Sequence, residues 1–450
     1  MGETKKRSTP HVLLILSALL LLAAALTWLI PAGSYERVFN EDTGQTLVVS
    51  GSFAYTESNP ITPWMLPRLI FDAFSTGSAP RLIFFVFFLS GAFEIILESG
   101  AVAALCTWVV ERLRRRRAWV VPAFVGVFSL FGFTMGLTTA SIIFLPLGMS
   151  AAKSLGYDSR TGMAMVMLGT NAGFAAGGYN PFSVGVAQVI AELPLYSGIW
   201  LRWLLLAVLV PVTSVYILRR AGTPALSGEE EPAEHPSLTP RQGLVLALLF
   251  GTLALITWGV GVRSWGVADI AALFLLLGIL CGIAAGFGGS QICTLMTAGC
   301  RRMVGGALTI GTAAALRLVL VQGGVLDSVV YGLLRLVENL PDWSQLLGMF
   351  YVNALLDPLI TSGSGHAAVA MPLMVPLADA LALSRQGAVL AFQLGDGLVN
   401  LVSPISNTLM SCLALSGLSY QNWLKYFLPL VGIYLAVGTG FMLLAGAVGY

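Results

Sequence analysis

The residues best suited to bind a ligand lie in the stretch Ser362-Gly-Ser-Gly-His366, within an otherwise apolar part of the chain. Gly363 and Gly365 allow the backbone to turn and to expose its N–H and C=O groups. The hydroxyls of Ser362 and Ser364 offer oxygen atoms that suit a hard cation or a carboxylate. Small residues also permit close helix packing, which is the structural alternative. We interpret all five residues as substrate-binding; for His366, roles as a proton carrier or as a simple hydrogen-bonding residue stay open.

A second polar stretch follows, in a span that glycine and proline interrupt. The Asp396 carboxylate is costly in lipid, so we expect it to be paired or ion-bound. Pro404 lacks a backbone N–H and frees a carbonyl, which predicts a break in the helix beside a cavity. We predict that the coupling ion contacts Asp396, Asn400 and Ser403, and that the substrate contacts Ser406, Asn407 and Thr408.

The first half of the chain carries matching features. Thr138 and Thr139 belong to a threonine-rich cluster, and Asn180-Pro181 interrupts another apolar run. Discontinuous helices at corresponding positions of two halves indicate a binding site near the membrane midplane. We predict that Thr138, Thr139, Asn180 and Pro181 contact the substrate and that Asn171 contacts the coupling ion.

Arg317 is the single basic residue that falls within a predicted span. Its planar guanidinium can hold a carboxylate through two parallel hydrogen bonds, so we predict that it binds the substrate. A structural ion pair with Asp327, Glu94 or Glu98 is the alternative.

The elements that position these residues must be membrane-spanning helices. Of the 450 residues, 56% are hydrophobic and 10% are charged, whereas soluble chains carry about 25% charged residues. Long apolar runs recur near the roughly 20 residues that span hydrocarbon, and open strands are excluded there. The first run follows Lys5, Lys6 and Arg7 and exceeds a typical signal core, so we expect it to remain as a span.

The distribution of basic residues predicts a multi-pass protein of the bacterial inner membrane with a cytoplasmic N-terminus. Under this topology the Arg112–Arg117 run and Lys153 share one side. The stretch 119–152 between them is therefore predicted to be a re-entrant hairpin. The stretch 343–380 is predicted to be a second hairpin that enters from the other side.

An internal repeat relates the two halves. Gly100 and Gly324 are 224 positions apart, as are Trp119 and Trp343. Chance similarity of membrane helices is the alternative. We predict two inverted-topology repeats, residues 1–220 and 243–450, joined by a cytoplasmic linker at 221–242. The fold class is all-α and polytopic, with about nine spanning helices, two re-entrant hairpins and broken helices at the midplane.

Several runs resemble the four-carbon-dicarboxylate anaerobic carrier family, in particular its YfcC-type, basic-amino-acid-antiporter-like branch within the ion-transporter superfamily. They are SGSGHAAVAMPLMVPLADAL, SRQGAVLAFQLGDGLVN, NWLKYFLPL, HVLLIL, IPAGSYER, the GSF at 51–53 and NPFSVGVAQVIAELPLYSGIWLR. The resemblance spans nearly the whole chain. It implies inverted repeats, uptake or exchange, and coupling to Na⁺ or H⁺.

The resemblance also implies site residues at 362–365, at 180–181, at 396–400 and at Arg317. Two positions depart from the family pattern. Thr139-Ala140 stands where many relatives have a Glu-Glu pair, and His366 stands where Gln is usual. A site without those two carboxylates suits a basic amino acid poorly, which favours a carboxylate-bearing anion or a zwitterion.

We therefore predict a secondary active transporter, either a symporter or an antiporter, of a small metabolite such as a dicarboxylate or an amino acid. An uncoupled permease or exchanger of short organic acids is the alternative. No enzymatic motif is present, and the five cysteines form no C-x-x-C pair, so we expect neither catalysis nor a metal site. The expected partners are the substrate, Na⁺ or H⁺, the lipid bilayer and a second copy in a homodimer, without nucleic acid.

Overall fold

The computed structural model describes residues 12–40, 45–49, 51–77, 79–113, 117–136, 138, 141–154, 156–221, 238–263, 265–337, 341–357, 362–403 and 406–450. Most of these residues are helical. Most of the predicted linker and the basic residues that precede the first helix lie outside these ranges.

The first half contains nine described helices and four short strands. The helices are α1 (Val12–Leu29), α2 (Leu66–Ser75), α3 (Ala79–Glu98), α4 (Ala101–Leu113), α5 (Arg117–Met135), α6 (Ser141–Ser154), α7 (Ser159–Ala176), α8 (Val186–Ile190) and α9 (Ile199–Arg220). The strands form two antiparallel pairs, β1 (Gly33–Ser34) with β4 (Ala54–Tyr55) and β2 (Arg37–Asn40) with β3 (Gln45–Val48).

The second half is described as nine further helices. They are α10 (Pro240–Arg263), α11 (Val267–Ala285), α12 (Gly289–Gln322), α13 (Leu326–Val337), α14 (Asp342–Leu356), α15 (Gly363–Ala380), α16 (Arg385–Val399), α17 (Asn407–Ser416) and α18 (Tyr420–Ala447).

Six of these helices, α3, α9, α10, α11, α12 and α18, are long and apolar enough to cross a membrane. Helix α1 is apolar but shorter by this measure. Helices α7 and α16 are buried on nearly every residue, so they lie inside the bundle rather than against lipid. The all-α polytopic fold is therefore confirmed, with the interrupted helices in its centre.

The helices of the second half recur about 224 residues after those of the first half. Adding 224 to the bounds of α7, 159–176, gives 383–400, which nearly coincides with α16. The same shift takes α5 and α6 onto α14 and α15, and α9 onto α18. Together α2 and α3 cover 66–98, and the shifted range 290–322 is occupied by the single helix α12.

The apolar runs at 82–110 and 304–337, each long enough to suggest a single span, are not continuous helices. The first divides into α3 and α4 at Gly100, where φ is +71°, and the second divides into α12 and α13 at Gly324, where φ is +69°. Glycine adopts this left-handed conformation without the steric cost that other residues meet. Each repeat therefore has a sharp turn at the same position.

The two hairpins, α5–α6 and α14–α15, open toward opposite ends of the bundle. Near the base of the first, Arg160 lies over the Tyr426 ring at 5.3 Å, beside the start of α18. At the base of the second, Arg385 Nη1 lies 3.1 Å from Glu192 Oε2, close to the start of α9. Helices α9 and α18 run antiparallel in contact, so these two bases lie at opposite ends. The predicted arrangement of the hairpins is confirmed.

Candidate functional site

The first interrupted helix breaks as its glycine and asparagine predict. Helix α7 ends at Gly177, where φ is +54°, and Asn180 caps the π-helical turn Pro181–Gly185. The Asn180 Oδ1 atom accepts hydrogen bonds from Phe182 N at 3.0 Å and Ser183 N at 3.3 Å. The Asn180 side chain, predicted to bind substrate, therefore also fixes the local backbone.

The second interrupted helix has an equivalent break. Helix α16 continues as a single 3₁₀ turn over Asn400–Val402, and the chain is then extended at Ser403. Ser406 caps α17, its hydroxyl accepting a hydrogen bond from Leu409 N at 3.4 Å. Asn400, Ser403 and Ser406 are all buried, while Thr408 is half-buried. Pro404 and the Asn407 side chain lie outside the described residues.

The tip of the second hairpin lies against both repeats. Ser362 caps α15 through a 3.3 Å hydrogen bond from Gly365 N, and its hydroxyl lies 3.4 Å from that of Ser364. A Cβ atom on Gly363 would lie 3.1 Å from Asp396 Oδ2 and 3.2 Å from Ser183 Cβ. The structure thus brings the glycine-serine tip, the α16 carboxylate and the first-repeat π turn together.

The tip of the first hairpin approaches the same break. Gly136 has a φ of +59°, and a Cβ atom there would lie only 2.3 Å from Asn180 Oδ1. Thr138 follows, with its N–H bonded to the Gly136 carbonyl at 2.9 Å and its side chain half-buried. Thr139 lies outside the described residues. Glycine is thus required at the closest approach.

Sequence reasoning missed one member of a buried polar cluster. Asp357 directly follows α14, and its carboxylate meets His366 of α15 and Asp396 of α16. One potential ligand atom from each of the three lies within 4.8 Å of the other two. The signal was a carboxylate inside an apolar run, which is rare in membrane helices and marks function.

Two buried carboxamides lie in the same interior layer of helices. Asn171 in α7 is 1% exposed, and neither of its amide atoms has a hydrogen-bond partner among the described residues. Gln393 in α16 donates to the Phe174 carbonyl at 2.5 Å, which links the two interrupted helices. Asn171 therefore keeps polar capacity for a ligand, as its predicted role as an ion contact requires.

Arg317 lies elsewhere, on the wall of a cavity of about 400 Å³. The cavity is lined by the α2–α3 break, by α8 and Glu192, by α12 from Ile310 to Val321, and by α15 at Ala368 and Pro372. None of the described tip residues 362–366 lines it. About two turns of α12 separate Arg317 from Thr309, whose methyl group would lie 3.1 Å from a Cβ atom on Gly365. The roles of Arg317 and of the glycine-serine tip in substrate binding stay predictions.

Two of the three alternative ion-pair partners of Arg317 pair with other residues. Asp327 Oδ1 lies 2.7 Å from Arg37 Nη2, and Glu94 Oε2 lies 2.9 Å from Arg302 Nη1. No carboxylate among the described residues lies within ion-pair distance of Arg317, whose side chain is exposed to the cavity. Its guanidinium is therefore available to a ligand.

Solved transporter structures share this fold. The YdaH transporter of Alcanivorax borkumensis aligns with a TM-score of 0.72 at 17% identity, covering 98% of this chain and 99% of that one. MtrF of Neisseria gonorrhoeae, described as belonging to a class of antimetabolite efflux pumps, aligns with a TM-score of 0.69 at 16% identity, covering 97% and 95%.

Sequence comparison defines the family. YfcC of Escherichia coli (strain K12), whose name proposes a basic amino acid antiporter, is 28% identical over 99% of this chain and 98% of its own. An uncharacterised protein of Haemophilus influenzae is 26% identical over 98% of each chain. Residues 9–447 match the family described as DcuC, C4-dicarboxylate anaerobic carrier. The chain therefore belongs to the C4-dicarboxylate anaerobic carrier family and is a multi-pass membrane transporter.

Proposed function

We propose that the protein is a secondary active transporter that moves a small carboxylate-bearing metabolite, such as a dicarboxylate or an amino acid, across the bacterial inner membrane. The observation that carries this proposal is Arg317, whose guanidinium lines a cavity and has no acidic partner among the described residues. Placing a guanidinium within the membrane costs about 3 kcal/mol on insertion scales. A substrate carboxylate would offset that cost while it is bound.

The charges around the cavity favour an acidic group on the ligand. Glu192 lines the same cavity, but its carboxylate is paired with Arg385 at 3.1 Å. Arg317 is thus the charge that a ligand would balance. The remaining lining is mostly apolar, from Ala73 and Leu82 to Val186 and Val321. An apolar cavity with few charged groups is typical of a small-molecule site.

The position of the cavity supports alternating access. Its walls come from α12 and the α2–α3 break on one side, and from hairpin helix α15 and α8 on the other. A movement of the hairpin against α12 would open or close the cavity. The names of the relatives, one for C4-dicarboxylates and one for basic amino acids, are consistent with a charged metabolite of this size.

Replacing Arg317 with lysine is expected to weaken substrate affinity about tenfold or more, because lysine keeps the charge but loses the two-pronged hydrogen bonding. The probe is whichever dicarboxylate, amino acid or short carboxylate most raises the Tm of the purified protein. Arg68→Lys is the matched control, because Arg68 is 87% exposed. An Arg317→Lys protein that folds and binds the same probe with wild-type affinity would contradict the proposal.

The competing function is a channel-like permease without ion coupling. Counterflow in proteoliposomes separates the two, because only a carrier shows uptake that internal substrate accelerates. Acceleration supports the proposed carrier, and its absence at saturating internal substrate favours the permease.

The proposed orientation places the N-terminus and the base of the first hairpin in the cytoplasm. In a cysteine-free background, we expect Lys153→Cys to react with a membrane-impermeant maleimide only after the membrane is opened. Arg335→Cys, on the exposed face of α13, should react in intact cells. Reaction of both positions from the outside would contradict this orientation.

A further inference from the structure

Three acidic or basic side chains meet in the protein interior without satisfying their polar atoms. Asp357, His366 and Asp396 are each 0% exposed. Both oxygens of each carboxylate and both ring nitrogens of the imidazole lack a hydrogen-bond partner among the described residues. His366 Nδ1 lies 3.5 Å from Asp396 Oδ1. Buried polar groups are ordinarily hydrogen-bonded, so this cluster calls for a bound species.

The three residues connect the second hairpin to helix α16. Asp357 directly follows α14 and His366 lies in the first turn of α15, so the two flank the tip of the second hairpin. Asp396 belongs to the buried helix α16. The rings of His366 and Phe392, both on these helices, make a T-shaped contact with their centroids 5.2 Å apart. A species bound among the three would therefore hold the hairpin tip to α16.

Charge alone requires a positive species. If both aspartates were ionised beside a neutral imidazole, two negative charges would lie within 4.8 Å of each other in a low-dielectric interior. No described lysine or arginine lies within ion-pair distance of either carboxylate. The described charged groups on the elements packed around them pair elsewhere or are exposed. Asp158, the N-cap of α7, pairs with Arg160, Arg302 of α12 with Glu94, Asp327 of α13 with Arg37, and Asp379 of α15 with Arg385 of α16. Arg301, Arg335 and Lys425 are exposed, and Arg317 lines the cavity.

The ligand set identifies that species. Sodium and other hard cations take oxygen ligands, and an imidazole nitrogen contributes little to them. Histidine and a close pair of carboxylates are instead the groups with which proteins hold and move protons. We propose that Asp357, His366 and Asp396 together form the proton-binding site that couples transport to the pH gradient, an inference that rests on the proposed function as a secondary transporter.

A shared proton accounts for the geometry. A proton on either aspartate turns that carboxyl group into a donor for the other, so the end of α14 is tied to α16. A second proton on the imidazole forms a charged contact with Asp396. When the cluster opens to water on the other side of the membrane, both protons transfer to water. The two carboxylates then repel each other, and this repulsion releases the hairpin tip. Proton exchange is thus linked to the movement that opens the cavity.

Infrared difference spectra of the purified full-length protein, between alkaline and acidic buffer, test this assignment directly. We expect the C=O stretch of a buried carboxylic acid in the wild type and its loss in Asp357→Asn and in Asp396→Asn. Asp269→Asn is the control, because Asp269 is exposed at the start of α11. A band that survives both asparagine substitutions in folded protein overturns the proposal.

Selective histidine labelling supplies a second readout. The chain has three histidines, and substitution of His11 and His235 leaves His366 as the single NMR reporter. We expect its ring resonances to respond to pH and to shift in the Asp396→Asn protein. A response to NaCl instead of pH, or stoichiometric binding of Zn²⁺ by calorimetry, would overturn the assignment to a proton.

Transport measurements separate this inference from the function on which it rests. We expect a folded Asp357→Asn protein to lose accumulation driven by a pH gradient. Wild-type accumulation in that variant overturns the proton site. Absence of counterflow in the wild type, with the infrared band intact, overturns the carrier function and leaves the proton site standing.

Discussion

Replacing Gly173 with alanine is expected to prevent accumulation of folded protein. A Cβ atom at this position of α7 would lie 1.8 Å from the Ser129 carbonyl oxygen and 2.7 Å from Phe133 N, both backbone atoms of α5. Overpacking a core typically costs about 1–3 kcal/mol when side chains can shift. Here the obstruction is helix backbone, so α5 itself must move away from α7. That movement disturbs the packing around both interrupted helices, α7 and α16.

The measurement is the yield of monodisperse protein in detergent together with its Tm. Gly251→Ala in α10 is the matched control, because no atom lies within 4 Å of a Cβ atom at that position. Alanine is favoured over glycine within a helix by about 0.5–1 kcal/mol, so the control should be neutral or slightly stabilising. A Gly173→Ala protein with wild-type Tm would show that the two helices are not packed this closely.

Removing the guanidinium of Arg385 is expected to cause the second large loss of stability. Arg385 donates to Asp379 at 2.9 and 2.7 Å, to the Ala191 carbonyl at 3.0 Å and to Glu192 at 3.1 Å. It therefore joins the base of the second hairpin to the end of the first interrupted helix. Breaking a buried pair by removing one partner typically costs about 3–5 kcal/mol, because the other charge stays buried.

We expect Arg385→Gln to lower the Tm strongly and Asp379→Asn combined with Arg385→Gln to restore part of the loss. Arg68→Gln is the control, since the Arg68–Asp72 pair is exposed and 3.8 Å long and such pairs contribute about 0–1 kcal/mol. If the double variant is no more stable than Arg385→Gln alone, the uncompensated Asp379 charge is not the cause.

The parts of the fold that depend on local chemistry could be predicted. Proline, glycine and asparagine decide where a helix ends, so the breaks near Pro181 and Pro404 followed from residue type. The hairpins followed from the basic residues at both ends of an apolar stretch. The tip contact between Gly363 and Asp396 joins two segments that were both predicted as site residues.

The parts of the fold that depend on contacts between residues far apart in the sequence could not be predicted. In the sequence Asp357 is an isolated carboxylate, and only the fold brings it close to His366 and Asp396. Arg317 lies within a span predicted from the sequence, yet its distance from the hairpin tip is set by its position along α12. The turns at Gly100 and Gly324 were hidden because apolar residues continue on both sides of each glycine.

The interruption between α2 and α3 has a further consequence. Its counterpart in the second repeat is the unbroken helix α12, and Thr76 and Gly77 of the interruption line the cavity opposite Arg317. Carriers built from inverted repeats change access when the two repeats exchange conformations. Because these repeats differ at the cavity wall itself, the exchange cannot produce mirror-image states. The Michaelis constants for influx and efflux then differ, so gradients of equal size and opposite direction drive unequal rates of net transport.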